Sequence, residues 1–183
     1  MKKFIVLMIS TMLFSGLHSQ EHPTSKRDVK KEKRALKKLE RKKELAQNFE
    51  LLKAMAESKS FTLETTMIKG KYTAINVLGI DNFIKVQGNK IIVQTSNPSG
   101  LGSNGLGGIT AKGLITYYDM SIDNQTINII MRISSFELGE FTLNMYLNSN
   151  NNAVARLRGR KTTFIGNAKE VDDIEQFEGR RRF

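Results

Sequence analysis

The chain has 183 residues, 39% hydrophobic and 26% charged, with two histidines and no cysteine or tryptophan. That length suits one domain plus tails, and the apolar fraction supports a core, which excludes wholesale disorder. His18 and His22 both lie near the N-terminus, so a cysteine nucleophile, a thiolate metal site, a Ser-His-Asp triad and disulfides are excluded from the body. The net charge of +11 belongs to the two ends of the chain. Residues 26–59 carry 13 basic against 6 acidic groups, residues 60–179 carry 11 of each, and Arg180, Arg181 and Arg182 follow. A folded nucleic-acid reader carries its basic stripe on the fold itself. A neutral body argues for no nucleic acid among the partners.

Lys2 and Lys3 precede an apolar run from Phe4 to Leu17, which is too short to span a bilayer and fits the h-region of a signal peptide. We expect residues 1–19 to be a signal peptide cleaved before Gln20, and the mature chain to be periplasmic or secreted. No cysteine follows the apolar run, so a lipoprotein anchor is excluded. Residues 20–25 form a polar linker. From residue 26 to 57 the chain lacks Gly and Pro and is rich in Lys, Glu, Leu and Ala, which predicts a helix. Its second half carries Leu45, Phe49, Leu52 and Ala56 as one apolar stripe that would dock on the body. Its first half is nearly all charge. Lys30, Lys31, Lys33, Arg34, Lys37, Lys38, Arg41, Lys42 and Lys43 are candidate contacts to an anionic membrane surface or an acidic partner.

Residues 58–179 read as a β domain. Phe61, Leu63, Thr65 and Met67 alternate with polar neighbours, and Tyr72 to Leu78 is a second β-rich run. Residues 83–87 and 90–94 read as a hairpin about Gly88-Asn89. Leu114, Thr116, Tyr118, Met120 and Ile122 share one strand face, and Asp123-Asn124 is the next turn. Ile127, Ile129, Met131 and Ile133, then Phe141, Leu143, Met145 and Leu147, are expected to face the core. Residues 153–157 and 162–168 complete about nine strands. One-sided alternation implies antiparallel pairing. The fold class is therefore mainly β with an N-terminal α-helix, arranged as an antiparallel barrel or a two-layer sandwich. A short C-terminal helix over Val171, Ile174 and Phe177 is expected before a basic tail at 180–183.

Gly100-Leu-Gly102-Ser-Asn-Gly105 matches a dinucleotide fingerprint in its letters, but a β-type run follows it where that motif needs a helix. No cofactor is expected. The stretch reads instead as a mobile loop over 97–113, in which Leu101, Leu106 and Ile109 are a candidate ligand gate. Asp172, Asp173, Glu175 and Glu178 match no calcium-loop spacing and read as a solvated face, so no metal is expected. Nothing in the sequence brings Asp119 and Asp123 into the unequal environments that acid–base catalysis needs. No catalytic residue is assigned. Asn124-Gln-Thr126 is a chance glycosylation pattern, and Arg156, Arg158, Arg160 and Lys161 read as a solvated strand edge.

The order of elements resembles a known family. The basic helix, the run Glu57-Ser58-Lys59-Ser60-Phe61, and Phe83-Ile84-Lys85-Val86-Gln87-Gly88-Asn89-Lys90-Ile91 are similar to domain of unknown function 4251. So are Gly107-Gly108-Ile109 and the closing Asn-rich turn with Phe164-Ile165-Gly166. The resemblance spans roughly 30–168 and implies a small exported protein of Bacteroidetes-type bacteria. The loop at 97–113 departs from the family pattern, which is more aromatic and contains proline. The resemblance supplies no catalytic residue. The expected function is a non-enzymatic envelope protein that binds an apolar small molecule or an envelope protein through its β body. Two alternatives are a structural adaptor tethered by the basic helix and, third, a carboxylate-based hydrolase.

Overall fold

The computed structural model describes residues 25–77, 81–96, 104–159, 161–171 and 178–179. The expected leader, the expected linker up to residue 24, most of the expected C-terminal helix and the basic stretch 180–183 therefore lie outside the described residues. What is described falls into two units, one ending at Leu39 and the other beginning at Glu40.

The first unit is the opening stretch of helix α1 (Lys26–Ser58). Ser25 caps it, its hydroxyl accepting from Arg27 N–H at 3.3 Å and its carbonyl from Asp28 N–H at 2.7 Å, as a side chain must when the first turn lacks partners. Every residue from Ser25 to Leu39 is exposed, Val29, Leu36 and Leu39 by 51–54%.

In the second unit the rest of α1 carries its apolar stripe into the core. Leu52 and Ala56 are buried and Phe49 is partly buried against them, as the spacing predicts, and Met55 joins them. Lys59 takes a left-handed φ of 52° and turns the chain directly into β1 (Ser60–Lys69). The remaining strands are β2 (Ala74–Asn76), β3 (Phe83–Gln87), β4 (Lys90–Gln94), β5 (Thr110–Asp123), β6 (Thr126–Ser135), β7 (Gly139–Asn148), β8 (Asn152–Leu157) and β9 (Thr162–Lys169).

From β3 to β9 each strand pairs antiparallel with the next, and β9 pairs back onto β1, which also pairs with β3. Eight strands thus close into a barrel, and the sandwich is set aside. Closure removes the unpaired edges that a long meander would expose. Because β9 covers residues 62–69 of β1, its other edge is shared end to end by β3 at 60–64 and the extra strand β2 at 67–69.

Hairpin turns follow local chemistry. Gly88 has φ 60° between Gln87 and Lys90, the conformation that a glycine-first two-residue turn requires. The β5–β6 turn is one residue later than the sequence reading. Asp123 still pairs with Thr126, and Asn124 and Gln125 take positive φ of 45° and 63°.

The barrel interior is filled by side chains. Phe61, Leu63, Ile84 and Val86 face Ile127, Ile129, Met131, Leu143 and Met145 in one buried cluster, all at most 1% exposed. An eight-stranded barrel is just wide enough for this. Two strands depart from the expected facing. At the end of β1 a register shift between Thr65 and Met67 brings Ile68, not Met67, against the core. β5 departs likewise. A register shift between Ile115 and Tyr117 puts Leu114 outside at 58% exposed and Ile115 inside at 9%, while Tyr118 and Met120 are partly buried beyond it. A bulge adds one residue, and with a period of two every later side chain changes face.

Candidate functional site

Since the interior is packed with side chains, the hollows that could admit another molecule are on the outer wall. The outward residues of β3, β4 and β5 form two rows fixed by register. In one row Lys85 lies opposite Ile92 and Ile92 opposite Lys112. In the next, Gln87 lies opposite Lys90, Lys90 opposite Leu114, and Leu114 opposite Ser134 of β6. Directly opposed side chains on one sheet face are neighbours at roughly 4.5–5.5 Å between Cβ atoms. Ile92 and Leu114 therefore sit diagonally as an apolar floor, with lysines beside them. Together they line a groove of about 470 Å³, within the roughly 300–1,000 Å³ usual for small-molecule sites.

Gly113 helps to shape it. A Cβ there would come within 2.6 Å of Ile133 Cγ2 and 2.9 Å of the Ser134 carbonyl oxygen. Gly113 is an inward position of β5, between Ala111 and Ile115, so its missing side chain spares the core a clash with Ile133, and only its backbone borders the groove. Among the described residues the charged side chains of the lining are Lys85, Lys90 and Lys112, all cations. Glu178 reaches in from the C-terminal segment, its Oε2 2.6 Å from Lys112 Nζ. Next to it Gly179 N–H donates to Gln94 Oε1 at 2.9 Å, which anchors the segment to β4.

A second hollow, of about 520 Å³, lies among Asn144 of β7, Arg156, Arg158, Lys161 and Thr163. It includes most of the basic strand edge expected from sequence (Arg160 lies outside the described residues), and Arg156 stacks 5.5 Å from the centre of the Tyr146 ring. Its lining offers no exposed apolar floor.

The expected gate is divided. Leu101 lies outside the described residues. Leu106 is half-buried, with its Cδ1 2.9 Å from where a Cβ on Gly179 would stand. Ile109 is 37% exposed and its N–H donates to Thr95 Oγ1 at 3.2 Å. Neither lines the groove. Their part of the loop is organised by buried Asn104, whose Oδ1 accepts from the N–H groups of Leu106 and Gly108, both at 3.0 Å, and whose Nδ2 donates to Thr95 O at 2.9 Å. The nine candidate envelope contacts from Lys30 to Lys43 are all exposed on α1.

Among the carboxylates considered for chemistry, Asp119 and Asp123 are exposed on β5, and Asp172, Asp173 and Glu175 lie outside the described residues. Among the described residues no group of three metal-ligating side chains occurs. Tyr118 is a partly buried phenol on β5. Burial pushes its phenol up to about 12, so it stays a neutral donor and holds the Ala56 carbonyl at 2.6 Å. That bond pins α1 to β5.

From sequence, Lys85, Lys90 and Ile92 belong to the expected hairpin and Leu114 to an expected strand, whereas Lys112 and Gly113 fall in the loop expected over 97–113, which is shorter because β5 already begins at Thr110. Alternation already puts Lys85, Lys90 and Ile92 on the outer face. Leu114 joins them only because of the bulge.

The model of the family described as Domain of unknown function (DUF4251) matches residues 43–165. The chain belongs to this family. A crystal structure of a DUF4251 family protein from Bacteroides eggerthii is similar in fold, with a TM-score of 0.55 and 22% sequence identity, over 69% of this chain and 90% of that one. The matched region starts within α1 and ends midway through β9, so it contains the end of the helix that docks, the strands that line the groove and all of the barrel but residues 166–169. No curated protein matches the chain.

Proposed function

We propose that this DUF4251 protein is an exported, non-enzymatic binding module of the bacterial envelope, which takes an apolar small molecule on the outer wall of its barrel. The groove over β3–β6 carries the reading, because it joins an apolar floor to a lysine rim where the packing of the core requires neither. The residue inventory of the body, without cysteine or histidine, supports binding over catalysis. The pattern of Lys2, Lys3 and the apolar run to Leu17 supports export to the periplasm or beyond. Native mass spectrometry of the protein purified from the bacterium that makes it tests both parts. The mature chain should begin at Gln20 and carry a small-molecule adduct. A bare chain in every preparation would remove the ligand, and a chain starting at Met1 would remove the export.

A second reading rests on α1, where residues 26–43 hold 11 basic and 3 acidic groups and the stretch from Ser25 to Glu44 is exposed. In it the basic helix holds an anionic membrane surface and the protein serves as an adaptor. Binding to phosphatidylglycerol vesicles should then weaken with salt, since such attraction is screened over about 8 Å at physiological ionic strength. Deleting residues 26–43 should abolish it. Equal binding by the shortened chain would end this reading.

A further inference from the structure

We infer that the groove selects an anionic amphiphile, a long-chain carboxylate whose head sits among Lys85, Lys90 and Lys112 and whose alkyl chain lies on Ile92 and Leu114. The inference rests on the binding-module reading above and names the ligand class. Charge complementarity carries it. Among the described residues the groove is lined by three lysines, with Glu178 the carboxylate paired to one of them, Lys112, and neither Lys85 nor Lys90 forms an ion pair there. Hydrogen bonds between an ammonium and a carboxylate are among the stronger ones in proteins.

The chain itself supplies a carboxylate at this rim. Glu178 holds Lys112 at 2.6 Å, at the end of a segment that Gly179 fastens to Gln94. An anion entering the groove therefore meets Lys85 and Lys90 first and competes with Glu178 for Lys112. The floor answers to the other half of the ligand. Leu114 is 58% exposed, and covering such a side chain with an alkyl chain removes apolar area from water. A neutral lipid would leave the lysines solvated and gain nothing from them, and a small anion would leave the floor bare. Only a molecule with both parts uses both features.

The test is calorimetric titration of the full mature chain with dodecanoate below the concentration at which it forms micelles. Dodecyl maltoside and acetate serve as the neutral-headed and the chainless probes. Dodecanoate should bind one to one, and each of the other two at least about ten-fold more weakly. The double variant Lys85→Gln/Lys90→Gln should lose about ten-fold in dodecanoate affinity while keeping its thermal midpoint, because both side chains lie on the outer wall. Leu114→Asn should weaken dodecanoate and leave acetate unchanged. Glu178→Gln should tighten dodecanoate several-fold by releasing Lys112, and an unchanged or weaker affinity would overturn the competition.

Equal binding of dodecanoate and dodecyl maltoside would overturn the anionic class and leave the apolar binding module standing. Binding of phosphatidylglycerol vesicles that is lost in the double variant, without binding of free dodecanoate, would assign the lysines to a bilayer surface and overturn the inference. If no probe binds but an adduct is found on the native protein, the ligand class fails alone. If no probe binds and no adduct is found, both readings fail.

Discussion

The two faces of the wall formed by β3, β4 and β5 are built from alternate residues of the same three segments, and they obey different rules. Inward, Ile84, Val86, Ile91, Val93 and Ala111 are all at most 3% exposed, each filling space that its neighbours leave. Outward, Lys85, Lys90, Ile92, Lys112 and Leu114 are half-buried or exposed and line an open groove. The inner face is constrained by volume, because protein interiors are packed nearly as densely as organic crystals. The outer face has no such constraint, so an apolar pair framed by three cations there calls for another explanation. The two faces thus differ in what constrains them: the interior by the packing of the fold, and the exterior, in the reading proposed above, by recognition.

The strongest way to break this division is to unpack the interior. Leu143, at the centre of β7, is 0% exposed. Leu143→Ala should cost about 2–5 kcal/mol, since truncating a buried leucine loses its transfer free energy and leaves a cavity. Urea denaturation followed by circular dichroism would measure it. A cost below about 1 kcal/mol would mean that the barrel is looser inside than its burial indicates.

Alternation made most of the barrel legible before any coordinates. The inward set on β6 and β7, from Ile127 to Ile133 and from Phe141 to Leu147, could be read residue by residue, because one buried and one wet face force a period of two. The two bulges were not legible. A single extra residue at 65–67 in β1 or 115–117 in β5 carries no compositional mark, and only pairing with the neighbouring strand reveals it. For that reason the sequence pattern groups Leu114 with Tyr118 and gives no sign of the groove. Barrel and sandwich were equally consistent with the pattern, because what separates them is one long-range pairing, β1 with β9. The seam made by that pairing depends on Gly166, where a Cβ would stand 1.8 Å from the Glu64 carbonyl oxygen, beside the β1 bulge.

Gly166→Ala should therefore push β1 and β9 apart. Overpacking typically costs about 1–3 kcal/mol. Its signature would be local, with amide exchange rising in β1 and β9 more than in β5 and β6. Uniform loss of protection, or none, would show that closure does not hinge on this residue.

The smallest expected effect sharpens the comparison most. Leu114 is a leucine in a β-strand like Leu143, but it points outward and is 58% exposed. Its register partners Lys90 and Ser134 are polar, so its truncation opens no cavity and leaves no buried group unpaired. Leu114→Ala should change stability by no more than about 0.5 kcal/mol, the usual range for surface substitutions away from special features. Under the conditions used for Leu143→Ala, the denaturation midpoint should stay within that margin of the parent chain. A cost of about 2 kcal/mol would reassign Leu114 to the core and remove the reason for treating the groove as a surface kept for a ligand. With a neutral result, the same substitution separates the two faces in one protein: stability unmoved, and any loss of ligand affinity attributable to the outer wall alone.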